Sequence, residues 1–74
     1  MRDRVRAVMA DVFMMDLSYI SETTSMKTLS QWDSMAQLHL ITALEEEFNI
    51  TFDVEDFEIM TDFTHVLETL EAKL

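Results

Sequence analysis

Not one of the 74 residues is glycine or proline. Tight hairpins draw on glycine for their positive-φ positions, so a fold of many short strands joined by two-residue turns is not expected. The absence of cysteine excludes disulfides and cysteine–metal sites. A chain of this length makes one domain with a thin core. No apolar run approaches the ~18 residues needed to cross a membrane, and the start carries no secretory signal. The expectation is a helical domain over residues 1–74, soluble and cytoplasmic.

Periodicity supplies the helices. Val5, Val8, Met9 and Val12 fall on one stripe at i, i+3, i+4 and i+7, predicting a helix over 3–15, with Phe13 and Met15 widening its apolar side. Residues 16–33 hold no sustained period. Ser, Thr and Asp cluster there, and their side chains compete for backbone hydrogen bonds. Leu17, Tyr19, Ile20, Met26 and Leu29 are scattered apolar anchors. A connection this long is usually functional or hides a short helix. The second helix is predicted over 34–48, with Leu38, Ile41, Leu44 and Phe48 as its buried stripe and Met35 one turn earlier. A brief helix fits Val54 to Met60 with Asp53 as N-cap. Thr61 or Asp62 caps the last helix, whose stripe is Phe63, Val66, Leu67, Leu70 and Leu74. Three substantial helices and one short one should pack around a single core.

The formal net charge is −10. From Thr28 to Ala72 there is no Lys or Arg, against eleven Asp and Glu residues. Such a surface repels nucleic-acid phosphates and anionic lipids and attracts a basic protein patch. It also serves simply as a solvated face. Glu45, Glu46 and Glu47 crowd the last turn of the second helix, where the helix dipole prefers cations. That conflict is a hint of function.

The stretch "QWDSMAQLHLITALEEEF" opens the second helix with Asp33-Ser34. Asp33 can be the N-cap, leaving the Ser34 hydroxyl at the first helical position with no capping duty. Alternatively Ser34 is itself the cap and Gln37 completes an S-x-x-Q capping box.

Trp32-Asp33-Ser34-Met35, followed by Ala43-Leu44-Glu45-Glu46-Glu47-Phe48, resembles the acyl carrier proteins, whose signature is Asp-Ser-Leu at the start of the second helix. The similarity covers essentially the whole chain. It implies an all-α four-helix bundle of acyl-carrier type, with three longer helices, a short third helix and a long loop between helices one and two. It also implies a carrier rather than an enzyme. By position, Ser34 would hold 4′-phosphopantetheine, transferred from coenzyme A by a phosphopantetheinyl transferase with Mg²⁺, and the arm's thiol would carry acyl groups as thioesters. Asp33 would help bind the transferase and its metal. Met35, Glu45, Glu46 and Asp56 would contact basic docking patches on acyl-transferring or synthase enzymes. The protein would be a monomer with no metal site of its own. A phosphodiester anion suits a helix N-terminus, and a chain without cysteine leaves the arm's thiol free of exchange partners.

Some positions depart from the family pattern. Ala36 and His39 stand where carriers of primary fatty-acid synthesis are often acidic, Asp53 where Pro is frequent, and Trp32 where a small residue is common. These departures suggest a specialised carrier for a polyketide, lipid or other secondary pathway. Trp32 either shields the base of the arm, meets a partner, or pins the loop to the core. The seven Met residues either fill the core or let it loosen around an acyl chain. Two further readings are a peptidyl or aminoacyl carrier, although "QWDSM" lacks the glycines typical before that serine, and an unmodified acidic interaction module. A serine hydrolase is not expected. His39 lies about 140° around the helix from Ser34 at ~100° per residue, and there are no nucleophile-elbow glycines. The acidic run Asp53 to Asp62 has neither the spacing nor the glycine of an EF-hand loop.

Overall fold

The computed structural model describes all residues from Met1 to Leu74. Four α-helices carry the fold: α1 Arg2–Phe13, α2 Ser34–Phe48, α3 Val54–Ile59 and α4 Phe63–Lys73. The loop after α1 contains a three-residue 3₁₀ turn at Leu17–Tyr19, the short helix anticipated within the long connection. There are no strands, only an isolated bridge between Ser25 and Asp62. No helix is long and apolar enough to cross a membrane.

The first helix stops at Phe13, two residues short of the expected end. Met14 adopts a left-handed conformation (φ 56°, ψ 49°), and its N–H bonds to the carbonyls of Ala10 and Asp11. That position ordinarily takes glycine, and a side chain there costs roughly 1–2 kcal/mol. Asn49 closes α2 in the same way at φ 55°, a conformation its short polar side chain tolerates better.

Helices α1 and α2 run antiparallel. Arg4 near the start of α1 pairs with Glu47 near the end of α2 at 3.1 Å. Its guanidinium lies 4.4 Å over the Phe48 ring. At the other end Phe13 meets Trp32 with ring centroids 5.3 Å apart. Val5, Met9 and Phe13 of α1, Leu40, Ile41 and Leu44 of α2, and Phe63, Val66, Leu67 and Leu70 of α4 form one core. Ile20, Trp32, Phe52 and Met60 enter it from the connections. Met26 and Leu29 pack against its edge, whereas Leu17 and Tyr19 are exposed.

The buried face of α2 differs from the predicted stripe. It runs through Gln37, Leu40, Ile41 and Leu44. Leu38 is 53% exposed and Met35 63% exposed. Leu38 sits about 100° around the helix from Gln37, and the antiparallel contact with α1 selects the Gln37 side. Phe48 is half-buried under Arg4. Leu74 lies past the end of α4 and is exposed, so the last buried position there is Leu70.

The loop is fastened rather than free. Arg6 Nε donates to the Ile20 carbonyl at 3.0 Å. The Met26 N–H bonds to Thr61 O and the Phe63 N–H to Thr24 O, both at 2.9 Å, joining the loop to the start of α4. Asp62, not Thr61, caps α4 by accepting the His65 N–H at 2.8 Å. Helix α3 has no buried residue of its own. Polar contacts hold both its ends. The Asp56 carboxylate accepts the Asp53 N–H at 2.8 Å, and Lys73 from α4 reaches Asp53 at 3.1 Å and Asp56 at 3.0 Å. At the far end Gln37 Nε2 donates to Phe57 O and Met60 O.

Candidate functional site

The open end of α2 is built from Trp32 upward. Trp32 is 2% exposed, wedged against Phe13. Its indole N–H donates to Gln37 Oε1 at 2.6 Å. Of the sequence alternatives for this side chain, the pin to the core is the one the structure adopts, and a surface contact with a partner is excluded by burial. From that anchor the chain emerges at Asp33, which has extended backbone (φ −102°, ψ −172°) and accepts the Ala36 N–H through Oδ1 at 2.9 Å. Asp33 is therefore the N-cap. The S-x-x-Q capping box does not form, because the Gln37 side chain turns inward instead of back to the cap.

Ser34 is the first residue of α2 and is exposed. Its hydroxyl has no capping task. The Ser34 and Met35 N–H groups precede the first intrahelical bond, which is Gln37 N–H to Asp33 O at 2.9 Å, and the cap leaves them over. At ~100° per residue, Ser34, Met35, Leu38, Thr42 and Glu45 share one side of the helix. All but the half-buried Glu45 are exposed. A hydroxyl, two leftover N–H groups and the positive end of a 15-residue helix make a place that suits a phosphodiester.

The acidic residues named from sequence separate into two groups. Glu45 Oε2 accepts the Phe52 N–H at 2.9 Å, closing the turn after α2. Glu47 is tied to Arg4. Two of the three carboxylates that oppose the helix dipole therefore have structural partners, and the conflict read from sequence is largely answered within the fold. Glu46 is exposed and has no ion pair. Asp56 is half-buried and engaged. The Asp53 N–H it accepts and the Lys73 ammonium beside it hold its carboxyl below the ordinary value of 3.8. The same contacts, with Asp56 first and Asp53 second, raise Lys73 above 10.5.

The histidines stand apart from the Ser34 hydroxyl in role. His39 is exposed on another side of α2. His65 Nδ1 lies 2.8 Å from the Asp62 carboxylate that caps its own helix. Partial burial pushes Asp62 up, but bonds from the His65 N–H and ring outweigh it and leave the carboxyl below 3.8.

Sequence reasoning considered Gln37 only as a capping-box partner of Ser34 and missed its inward role toward Trp32, Phe57 and Met60. Gln37 occupies the i−4 position from Ile41, on the buried line, so a polar side chain at an apolar register was the readable signal.

Residues 3–71 match the family model described as the phosphopantetheine attachment site. Among solved structures, the fold is similar to the solution structure of a holo acyl carrier protein from Geobacter metallireducens. The TM-score is 0.86 at 22% identity, covering 97% of this chain and 83% of that one. No curated protein sequence matches the chain. The chain thus belongs to the phosphopantetheine attachment-site family and has the fold of an acyl carrier protein, a carrier whose covalent 4′-phosphopantetheine supplies the working chemistry.

Proposed function

We propose that Ser34 is the residue that bears the arm and that residues 1–74 act as one acyl-carrier unit. The observation that carries this reading is the division of labour at the start of α2: Asp33 caps the helix, and the adjacent Ser34 hydroxyl is exposed and unused. Once attached, the arm's thiol holds acyl groups as thioesters. The protein's own residues bind and orient. The leftover N–H groups of Ser34 and Met35 and the helix dipole stabilise the phosphodiester. Asp33 places a carboxylate beside the modified oxygen, a charge for the transferase and its Mg²⁺ to meet.

Met35 and Leu38 offer exposed apolar contact next to the serine, and Glu46 an unpaired charge further along α2. Glu45 and Asp56 contribute to the negative field that draws in basic enzyme patches, with weaker direct contact because each is engaged internally. The cargo is an acyl intermediate of fatty-acid, polyketide or another specialised pathway, carried by a cytoplasmic monomer between enzymes with basic docking faces.

The test is incubation with coenzyme A, Mg²⁺ and a broad-specificity transferase, followed by intact-mass measurement. One phosphopantetheine should be gained by the natural chain and none by Ser34→Ala. An unchanged mass after a competent transferase has acted, or a gain that survives Ser34→Ala, would remove Ser34 from the role.

A further inference from the structure

Resting on Ser34 as the attachment point, we infer that the seam between α2 and α3 is closed to apolar cargo by Trp32 and Gln37. The acyl group is then held in water beside the bundle and belongs to the short or polar class. The bonds involved run across the seam directly below the serine. The Trp32 indole N–H, two residues before Ser34, donates to Gln37 Oε1 at 2.6 Å. The Gln37 amide donates to Met60 O at 2.9 Å and Phe57 O at 3.2 Å. Those carbonyls sit at the end of α3, where a helix has no internal donor for them. An alkyl chain sliding between α2 and α3 must part these bonds and offers nothing in exchange, so it strands buried polar groups.

Packing points the same way. Trp32, Leu40 and Met60 are fully buried beside the clamp, and every buried side-chain nitrogen and oxygen has a partner. The adaptable side chains are elsewhere. Of the seven methionines only Met9 and Met60 lie in the core, while Met1, Met14 and Met35 are exposed. The interior therefore lacks the loose methionine lining that sheltering a chain would draw on.

The experiment loads the protein with acetyl- or decanoyl-phosphopantetheine and confirms each single adduct by intact mass. Thioester cleavage by hydroxylamine is then timed, each rate being divided by that of the matching free acyl-coenzyme A. The two normalised rates should agree within about two-fold, whereas burial of even two methylenes would favour a sheltered form roughly ten-fold. In the unmodified protein the Trp32 indole proton should exchange with solvent only on global unfolding. Gln37→Leu, which makes the seam apolar, should slow the decanoyl form alone. If that variant does not fold, the comparison in the natural chain decides. Protection of decanoyl by about ten-fold in the natural chain overturns this inference while leaving Ser34 as the attachment point. Failure to gain any adduct overturns both.

Discussion

Replacing Gln37 by Leu removes three hydrogen bonds in a nearly isosteric exchange, and its cost can be built from the partners left behind. The Trp32 indole N–H, 2% exposed, loses its only acceptor, at about 1–3 kcal/mol for an unsatisfied buried donor. The Met60 carbonyl loses a buried bond worth about 1 kcal/mol. Phe57 O is partly exposed and finds water at little cost. Burial of the leucine side chain returns about 1 kcal/mol. The net loss is about 1–3 kcal/mol, against a total stability of roughly 4–11 kcal/mol for a chain of this length.

At about 4–8 °C per kcal/mol, the melting temperature should fall by roughly 4–24 °C. Urea denaturation followed by circular dichroism and by Trp32 fluorescence measures both quantities. The Trp32 emission should also move to longer wavelength as the indole loses its fixed partner. A loss below about 0.5 kcal/mol with unchanged emission would refute the clamp, because surface substitutions alone reach that size.

Asp33→Ala should cost about 1 kcal/mol through loss of the cap to Ala36, while Asp33→Asn should be almost neutral to denaturation and slow the transferase through lost charge alone. Equal destabilisation by both variants would remove Asp33 as the cap. Leu40→Ala should cost about 2–5 kcal/mol and Leu38→Ala less than about 1 kcal/mol, a contrast that urea melts resolve and that reverses if the sequence-predicted stripe is the true buried face. Asp56 and Asp62 have folded pKa values below 3.8, so their contribution to stability is present above that pH and is lost as pH falls through the lower folded values. Lys73, raised above 10.5, contributes fully below 10.5 and loses its share as pH climbs beyond it. Melting temperature against pH should therefore hold steady between these limits with respect to these groups, and Asp56→Asn should flatten both limbs; an unchanged acid limb in that variant would count against the Asp53–Asp56–Lys73 cluster.

The helices were legible because hydrophobic period and capping residues are local properties. The 34–48 span and the Asp53 cap emerge in the structure where periodicity put them. The Asp33-Ser34 pair stood out for the same reason, since a cap and the residue after it are neighbours in sequence. Orientation was harder to read. Leu38 and Leu40 are equally apolar, and only the packing of α1 against α2 exposes the first and buries the second. Glu45 and Glu47 looked misplaced at a helix end because their partners, Phe52 and Arg4, lie across a turn or on another helix.

What the chain's residues determine alone is a glycine-free set of helices, their caps, a strongly acidic sector and a serine at a helix start. Each follows from spacing, charge or side-chain chemistry within a few positions. What only the assembled bundle decides is which helix face turns inward, that Trp32 is buried rather than offered to a partner, and that Gln37 spends its amide on the carbonyls of α3. Those outcomes depend on groups 23 residues apart for the Gln37–Met60 bond and 43 apart for Arg4 and Glu47, and a hydrogen bond or a buried surface between distant segments exists only once the fold has brought them together.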